Sequence, residues 1–131
     1  MRAFILLCSL LIVINIPTYT QWTQIPMGTS ADIFNLYFTT QNTGWVVGSK
    51  GKIIKTTDGG GNWIFQNIGM DIPWLSVTFA NAHTGWVVGG EGSIIKTTDG
   101  GENWVFQKSG SISTLKSVWF SDDKTGWVVG R

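Results

Sequence analysis

The side chains able to do acid–base, nucleophilic or metal chemistry are few and scattered in this sequence. It holds one histidine (His83), one cysteine (Cys8), two arginines (Arg2 and Arg131) and eight carboxylates. Two of the acids, Asp58 and Asp99, recur in one short phrase. That phrase runs Thr56-Thr57-Asp58-Gly59-Gly60-Gly61-Asn62-Trp63 and again Thr97-Thr98-Asp99-Gly100-Gly101-Glu102-Asn103-Trp104. The other six acids are Asp32, Asp71, Glu91, Glu102, Asp122 and Asp123, all in predicted loops or turns. Glycoside hydrolysis needs two carboxylates roughly 5–10 Å apart, and nothing in the spacing pairs any two of them. Histidine is the usual general base or metal ligand near neutral pH. His83, however, takes the slot held elsewhere in the chain by Asn42 and Lys124, and a position accepting all three reads as a solvated turn. No catalytic residue, cofactor or metal is therefore expected.

Composition narrows the classes further. The 131 residues carry nine basic and eight acidic side chains, a formal charge of +1. A nucleic-acid binder needs a basic face that releases counterions, so no nucleic-acid partner is expected. Hydrophobic residues make up 43% of the chain and eight are tryptophan, which excludes a disordered polymer.

The N-terminus reads as an address. Met1-Arg2-Ala3 is a short positive start, and Phe4 to Ile16 is apolar apart from Cys8-Ser9 and Asn15. Pro17 ends the run, and Thr18 and Thr20 stand three and one residues before a cut ahead of Gln21. This is the layout of a secretory signal peptide. The run is too short for a bilayer span of about 20 residues, so no stable membrane span is expected after cleavage. The expected division is 1–20 signal peptide and 21–131 mature domain, secreted, periplasmic or at the cell surface. Losing Arg2 leaves eight bases against eight acids, and losing Cys8 leaves no thiol. Such a domain is held by packing alone.

Self-similarity dominates the rest. Thr43-Gly44-Trp45-Val46-Val47-Gly48 recurs at 84–89 and 125–130, each copy 41 residues after the last. Residues 22–62 and 63–103 align without a gap at 19 of 41 positions. The repeats are 22–62, 63–103 and 104–131, the third incomplete, so the chain is expected to be a C-terminally truncated piece of a longer array. Within each copy, β-branched and aromatic runs alternate with Gly, Asn, Asp and Thr clusters, which mark strands and turns. The first runs are Ile33–Thr39, Leu75–Ala80 and Leu115–Ser121. The second is Trp45–Val47 and its equivalents. The third is Lys52–Thr57 or Ser93–Thr98, and the fourth is Trp63–Asn67 or Trp104–Lys108. Leu36, Val77 and Val118, with Phe38, Phe79 and Phe120, keep an apolar period of two and are expected to face a core. Four strands in about 41 residues describe a β-propeller blade. The expected fold is all-β, an incomplete propeller of about two and a half four-stranded antiparallel blades after an N-terminal signal helix.

The two Asp58 and Asp99 phrases match the Asp-box, or BNR, pattern of Ser/Thr, any, Asp, any, Gly, any, any, Trp. Thr56, Asp58, Gly60 and Trp63, with Thr97, Asp99, Gly101 and Trp104, read as fold staples. A short Asp accepts hydrogen bonds from its own turn, glycine permits positive φ, and the Trp covers the turn. Together with Thr-Gly-Trp-Val-Val-Gly, these phrases make residues 22–131 resemble the photosystem II stability/assembly factor family. The resemblance implies an exported Asp-box propeller, usually seven-bladed. In photosynthetic members it also implies an arginine-rich patch that helps hold the reaction-centre protein. Here Arg131 is the only arginine beyond residue 20.

Asp boxes also occur in sialidases, which need three arginines around the substrate carboxylate; one mature arginine does not supply them. The segments that differ most between copies are 29–35, 70–76 and 111–117. Binding residues gather on such connections, and Trp74 and Leu75 are the candidate partner contacts. The expected function is a non-enzymatic interaction or assembly platform with a protein partner. The alternative is a glycoside hydrolase or carbohydrate-binding propeller. N-terminal sequencing of the exported protein is expected to read Gln21 first; a chain still beginning at Met1 overturns the signal assignment.

Overall fold

The structure, a computed structural model, describes residues 23–131; the signal segment expected at 1–20 and Trp22 lie outside the described residues. Strands β1 (Ile33–Phe38), β2 (Gly44–Gly48), β3 (Ile53–Thr56) and β4 (Ile64–Gln66) form one antiparallel sheet in chain order. Strands β5 (Trp74–Phe79), β6 (Gly85–Gly89), β7 (Ile94–Thr97) and β8 (Val105–Gln107) form a second sheet of the same order. Strands β9 (Leu115–Phe120) and β10 (Gly126–Gly130) pair as a third. The described residues contain no α-helix, only a 3-10 turn at Gly90–Gly92. The fold is an all-β arc of propeller blades with four, four and two strands.

Each turn is built by local chemistry that the repeat copies. Between β1 and β2 the Thr40 hydroxyl accepts from the Asn42 and Thr43 amides. Asn81 does the same for His83 and Thr84, and Asp122 for Lys124 and Thr125. These are side-chain mimics of a backbone turn, which Thr, Asn and Asp all can make. Between β2 and β3, Lys50 and Gly51 both have positive φ, 55° and 66°. That combination is the tight hairpin turn whose twist matches its strands. Glu91 and Gly92 repeat it at 57° and 67°.

The core lies between sheets, not within them. Trp45, Val47 and Ile53 of the first sheet meet Val77, Phe79, Val87 and Ile95 of the second, all buried. Trp86 and Val88 on the other face of the second sheet meet Leu115 and Val118 of the third. Aromatic stacking recurs at each junction. Trp45 stacks on Phe79 with centroids 4.0 Å apart, and Trp86 stacks on Phe120 at 3.5 Å. Such pairs contribute about 0.5–1.5 kcal/mol beyond their area burial. Polar ties sit at matching positions. The Val77 amide donates to the Asn35 side chain at 3.2 Å, and the Val118 amide donates to Ser76 Oγ at 3.3 Å.

One expectation needs correction. Leu36 and Phe38 do not face a core: both are exposed, because the sheet that would cover their side is absent from the described residues. Between these positions, Thr78 of the middle sheet is buried, since that sheet is covered on both faces, and Tyr37 of the first sheet donates its hydroxyl to the Phe79 carbonyl at 2.9 Å.

The Gly of Thr-Gly-Trp has a packing reason. A Cβ on Gly85 would meet the Phe79 ring at 2.5 Å, and Gly44 and Gly126 stand in the same relation to Phe38 and Phe120. The Phe ring lies flat on bare backbone and is thereby aimed at the Trp of the preceding sheet. Gly85→Ala is expected to lower unfolding stability by about 1–3 kcal/mol, the usual cost of overpacking, read by urea denaturation. An unchanged midpoint refutes this packing role.

Candidate functional site

The two Thr-x-Asp-x-Gly-x-Asn-Trp turns are the most highly organised polar groups of the molecule. Each links the third strand of a sheet to the fourth. Thr56 donates its hydroxyl to Asp58 Oδ1 at 2.9 Å and accepts the Gly60 amide at 2.9 Å. Asp58 Oδ1 also accepts the Asn62 amide at 2.8 Å, and Asp58 Oδ2 accepts the Asn62 side-chain amide at 2.7 Å. Thr97, Asp99, Gly101 and Asn103 repeat this network, with every distance between 2.8 and 2.9 Å. Gly60 and Gly101 have φ of 95° and 81°, a region that L side chains rarely enter. At Gly101 a Cβ would also run into the Trp45 indole nitrogen of the neighbouring sheet.

The electrostatics follow from the donors. The Asn62 backbone N–H, then its side-chain amide, then the Thr56 hydroxyl hold the Asp58 carboxyl at about 2, below its ordinary 3.8; slight burial pushes the other way. Asp99 is held at about 2 by the same groups of Asn103 and Thr97. Asp122 is lowered by the Lys124 and Thr125 amides. A carboxylate with both oxygens engaged and so low a pKa is a poor proton acceptor near neutral pH. The chemistry of these turns is that of a clasp.

Trp63 and Trp104, one residue past each turn, are half-buried and pack edge-on to Phe38 and Phe79 at 6.3 and 6.1 Å. The clasp therefore fixes a Trp that supports the Phe on which the next junction depends. Asn62 and Asn103 were not singled out in the sequence. The signal was available, because both copies place Asn at a position the motif leaves free.

Trp74 corrects a second expectation. It is not on a contact loop: it opens β5 and is 0% exposed within the core between the first two sheets. The cause is a β-bulge. The β5–β6 register shifts between Trp74 and Ser76, and the same shift falls between Ile33 and Asn35 and beside Leu115. A bulge moves the strand's alternation by one residue, which turns Trp74 to the same side as Val77. The repeat held the clue, since Ile33, Trp74 and Leu115 are all apolar at this position. Leu75, the bulged residue, is half-buried. Of the large apolar residues in the variable segments, Ile33 and Phe34 at the start of β1 and Ile112 are exposed, the last by 93%. His83 is exposed on its turn. Among the described residues, no three His, Cys, Asp or Glu side chains gather as a metal site, and no helix is long and apolar enough to cross a membrane.

Residues 14–73 and 66–131 match the family described as photosynthesis system II assembly factor YCF48. The chain belongs to this family. Curated members share parts of it. The chloroplastic photosystem II stability/assembly factor HCF136 of Guillardia theta is 37% identical over 57 residues, covering 40% of this chain and 14% of the relative. The HCF136 of Cyanidioschyzon merolae is 39% identical over 44 residues, covering 32% and 10%. Solved family structures superpose on most of the arc. YCF48 bound to D1 peptide matches with a TM-score of 0.76 and 26% identity, over 85% of this chain and 38% of that one. YCF48 from Cyanidioschyzon merolae matches with 0.73 and 25%, over 82% and 37%. The chain thus spans well under half the length of these family members.

The clasps carry a pH signature of definite sign. A carboxyl whose folded pKa is depressed adds stability above its unfolded value, and loses it as pH falls through the folded value. For Asp58 and Asp99 that window runs from about 3.8 down to about 2. In urea titrations across it, the chain is expected to lose stability steadily as acid is added. Asp58→Asn/Asp99→Asn is expected to flatten the slope; an unaltered slope shows that the clasps do not set it.

Proposed function

We propose that this chain is part of an exported, non-enzymatic assembly scaffold that holds a segment of a client protein. One observation carries the reading: a family structure that matches 85% of this chain is YCF48 bound to D1 peptide. The site chemistry supports it. The best-organised carboxylates, Asp58 and Asp99, spend both oxygens on their own turns. What remains for a partner is rigid frame and variable connections, where binding residues gather. Ile112 on such a connection and Phe34 at the start of β1 offer apolar contact. Export follows from the signal segment 1–20, and the client would be met outside the cytoplasm.

Arg131 is the only arginine beyond residue 20. Recognition here would rest on shape, apolar contact and backbone hydrogen bonding more than on paired guanidinium groups. It should accordingly vary little with salt, since screening acts on charges.

Fluorescence anisotropy with a labelled D1 peptide, against a scrambled peptide of the same composition, tests the reading. Saturable binding at about 100 µM or tighter, a free energy beyond about −5 kcal/mol, is expected for the D1 sequence alone. Equal binding of both peptides, or of neither, overturns it.

A further inference from the structure

Aspartate followed by glycine is among the chemically weakest steps of a polypeptide in neutral water. Glycine has no Cβ to shield its amide nitrogen and leaves the backbone free to turn, so that nitrogen can reach the preceding carboxyl carbon. This chain has two such steps, Asp58–Gly59 and Asp99–Gly100, and no Asn–Gly step. Both stand inside the clasps, and both carboxylates are exposed to water. Burial is therefore not what protects them.

The reaction has definite requirements. The glycine nitrogen forms a bond to the Asp carboxyl carbon and gives up its proton. A carbon–oxygen bond of that carboxyl breaks, and the oxygen leaves as water. The five-membered succinimide then takes up one water at either of its carbonyls. One product is aspartate again. The other is isoaspartate, in which the chain runs through the former side-chain carbonyl and is one methylene longer.

The folded turn withholds each requirement. The Gly59 amide donates to the Asn42 carbonyl and the Gly100 amide to the His83 carbonyl, each at 2.8 Å. The proton that must leave is thus held, and the nitrogen is anchored to the turn between the first two strands of its sheet. The Asp58 oxygens are held by the Thr56 hydroxyl, the Asn62 amide and the Asn62 side chain, and Asp99 is held alike by Thr97 and Asn103. Swinging either carboxyl toward its glycine breaks three hydrogen bonds together. The same donors favour the ionised form, and a carboxylate is a poor electrophile.

We propose that Asp58 and Asp99 are latent isoaspartate sites, locked by the Asn62 and Asn103 side chains and by the amide bonds to Asn42 and His83, which react when a turn opens. The modification is self-sustaining. The added methylene and the displaced carboxyl prevent the clasp from reforming, and Trp63 or Trp104 loses the turn that sets it against Phe38 or Phe79.

The full chain, incubated at neutral pH and body temperature, provides the test. Trypsin cuts after Lys55, Lys96 and Lys108, so the two sites fall in separate peptides, 56–96 and 97–108. Isoaspartate is resolved from aspartate by chromatography and identified by electron-transfer fragmentation. Asp99 in the folded chain is expected to isomerise at least about tenfold more slowly than in a synthetic peptide of residues 97–108, since only the opened fraction reacts. Asn62→Ala is expected to speed the reaction at Asp58 about threefold or more, through loss of one hydrogen bond to the carboxylate, with Asp99 unchanged. Asn103→Ala is expected to give the reverse pattern. Both Asn side chains are exposed, and in each variant the untouched copy reports whether the sheets persist. Equal rates in chain and peptide, no acceleration in either variant, or an acceleration that ignores which Asn was removed overturns the inference.

Discussion

A blade of this chain has two apolar faces and no means of burying either by itself. That constraint governs the rest of the structure. The second sheet has a neighbour on each side and buries Trp74, Val77, Phe79, Trp86, Val87 and Val88. Among the described residues the first and third have one neighbour each, and Leu36 and Phe38 of the first and Trp127 and Val129 of the third stay exposed on their free sides. Stability is thus a property of junctions between repeats. The strands supply surfaces, and stacking decides whether those surfaces are core.

The local motifs make sense as servants of that junction. Glycine of Thr-Gly-Trp leaves room for a flat Phe ring, which then meets the preceding sheet's Trp. The Thr-x-Asp-x-Gly-x-Asn-Trp turn clasps itself with five kinds of hydrogen bond and delivers a Trp against that same Phe. Gly101 of one turn also lies against Trp45 of the neighbouring sheet. Around Phe79, then, three sequence phrases meet, through Trp45, Gly85 and Trp104. Lys55 of the first sheet reaches Glu102 of the second across the same junction. That pair is partly open to water and adds little, about 0–1 kcal/mol at most.

Most of the fold was legible because a repeat is its own control. The three copies of Thr-Gly-Trp-Val-Val-Gly, the two Asp turns and the period of two located ten strands to within a residue or so at each end. The site was less legible. Trp74 looked like a loop contact because its loop differs from the others in composition. Only the bulge before Ser76 carries it round to the core side. Ile112 was passed over because a single apolar residue in a loop carries no pattern, and Phe34 because it falls inside the first strand run. Asn62 and Asn103 were passed over because the motif is usually written without them.

By itself the sequence determined what is local or periodic: turn chemistry, strand order, the 41-residue beat and the clasp residues. These depend on neighbours a few positions away or on identity between copies, both visible in one dimension. Tertiary structure alone decided which apolar residues are core and which are surface. Leu36 and Val77 read alike in sequence, yet one is open and the other sealed. The difference lies in whether another sheet stands in front, and burial of a face is set by that neighbour and not by the residues that line it.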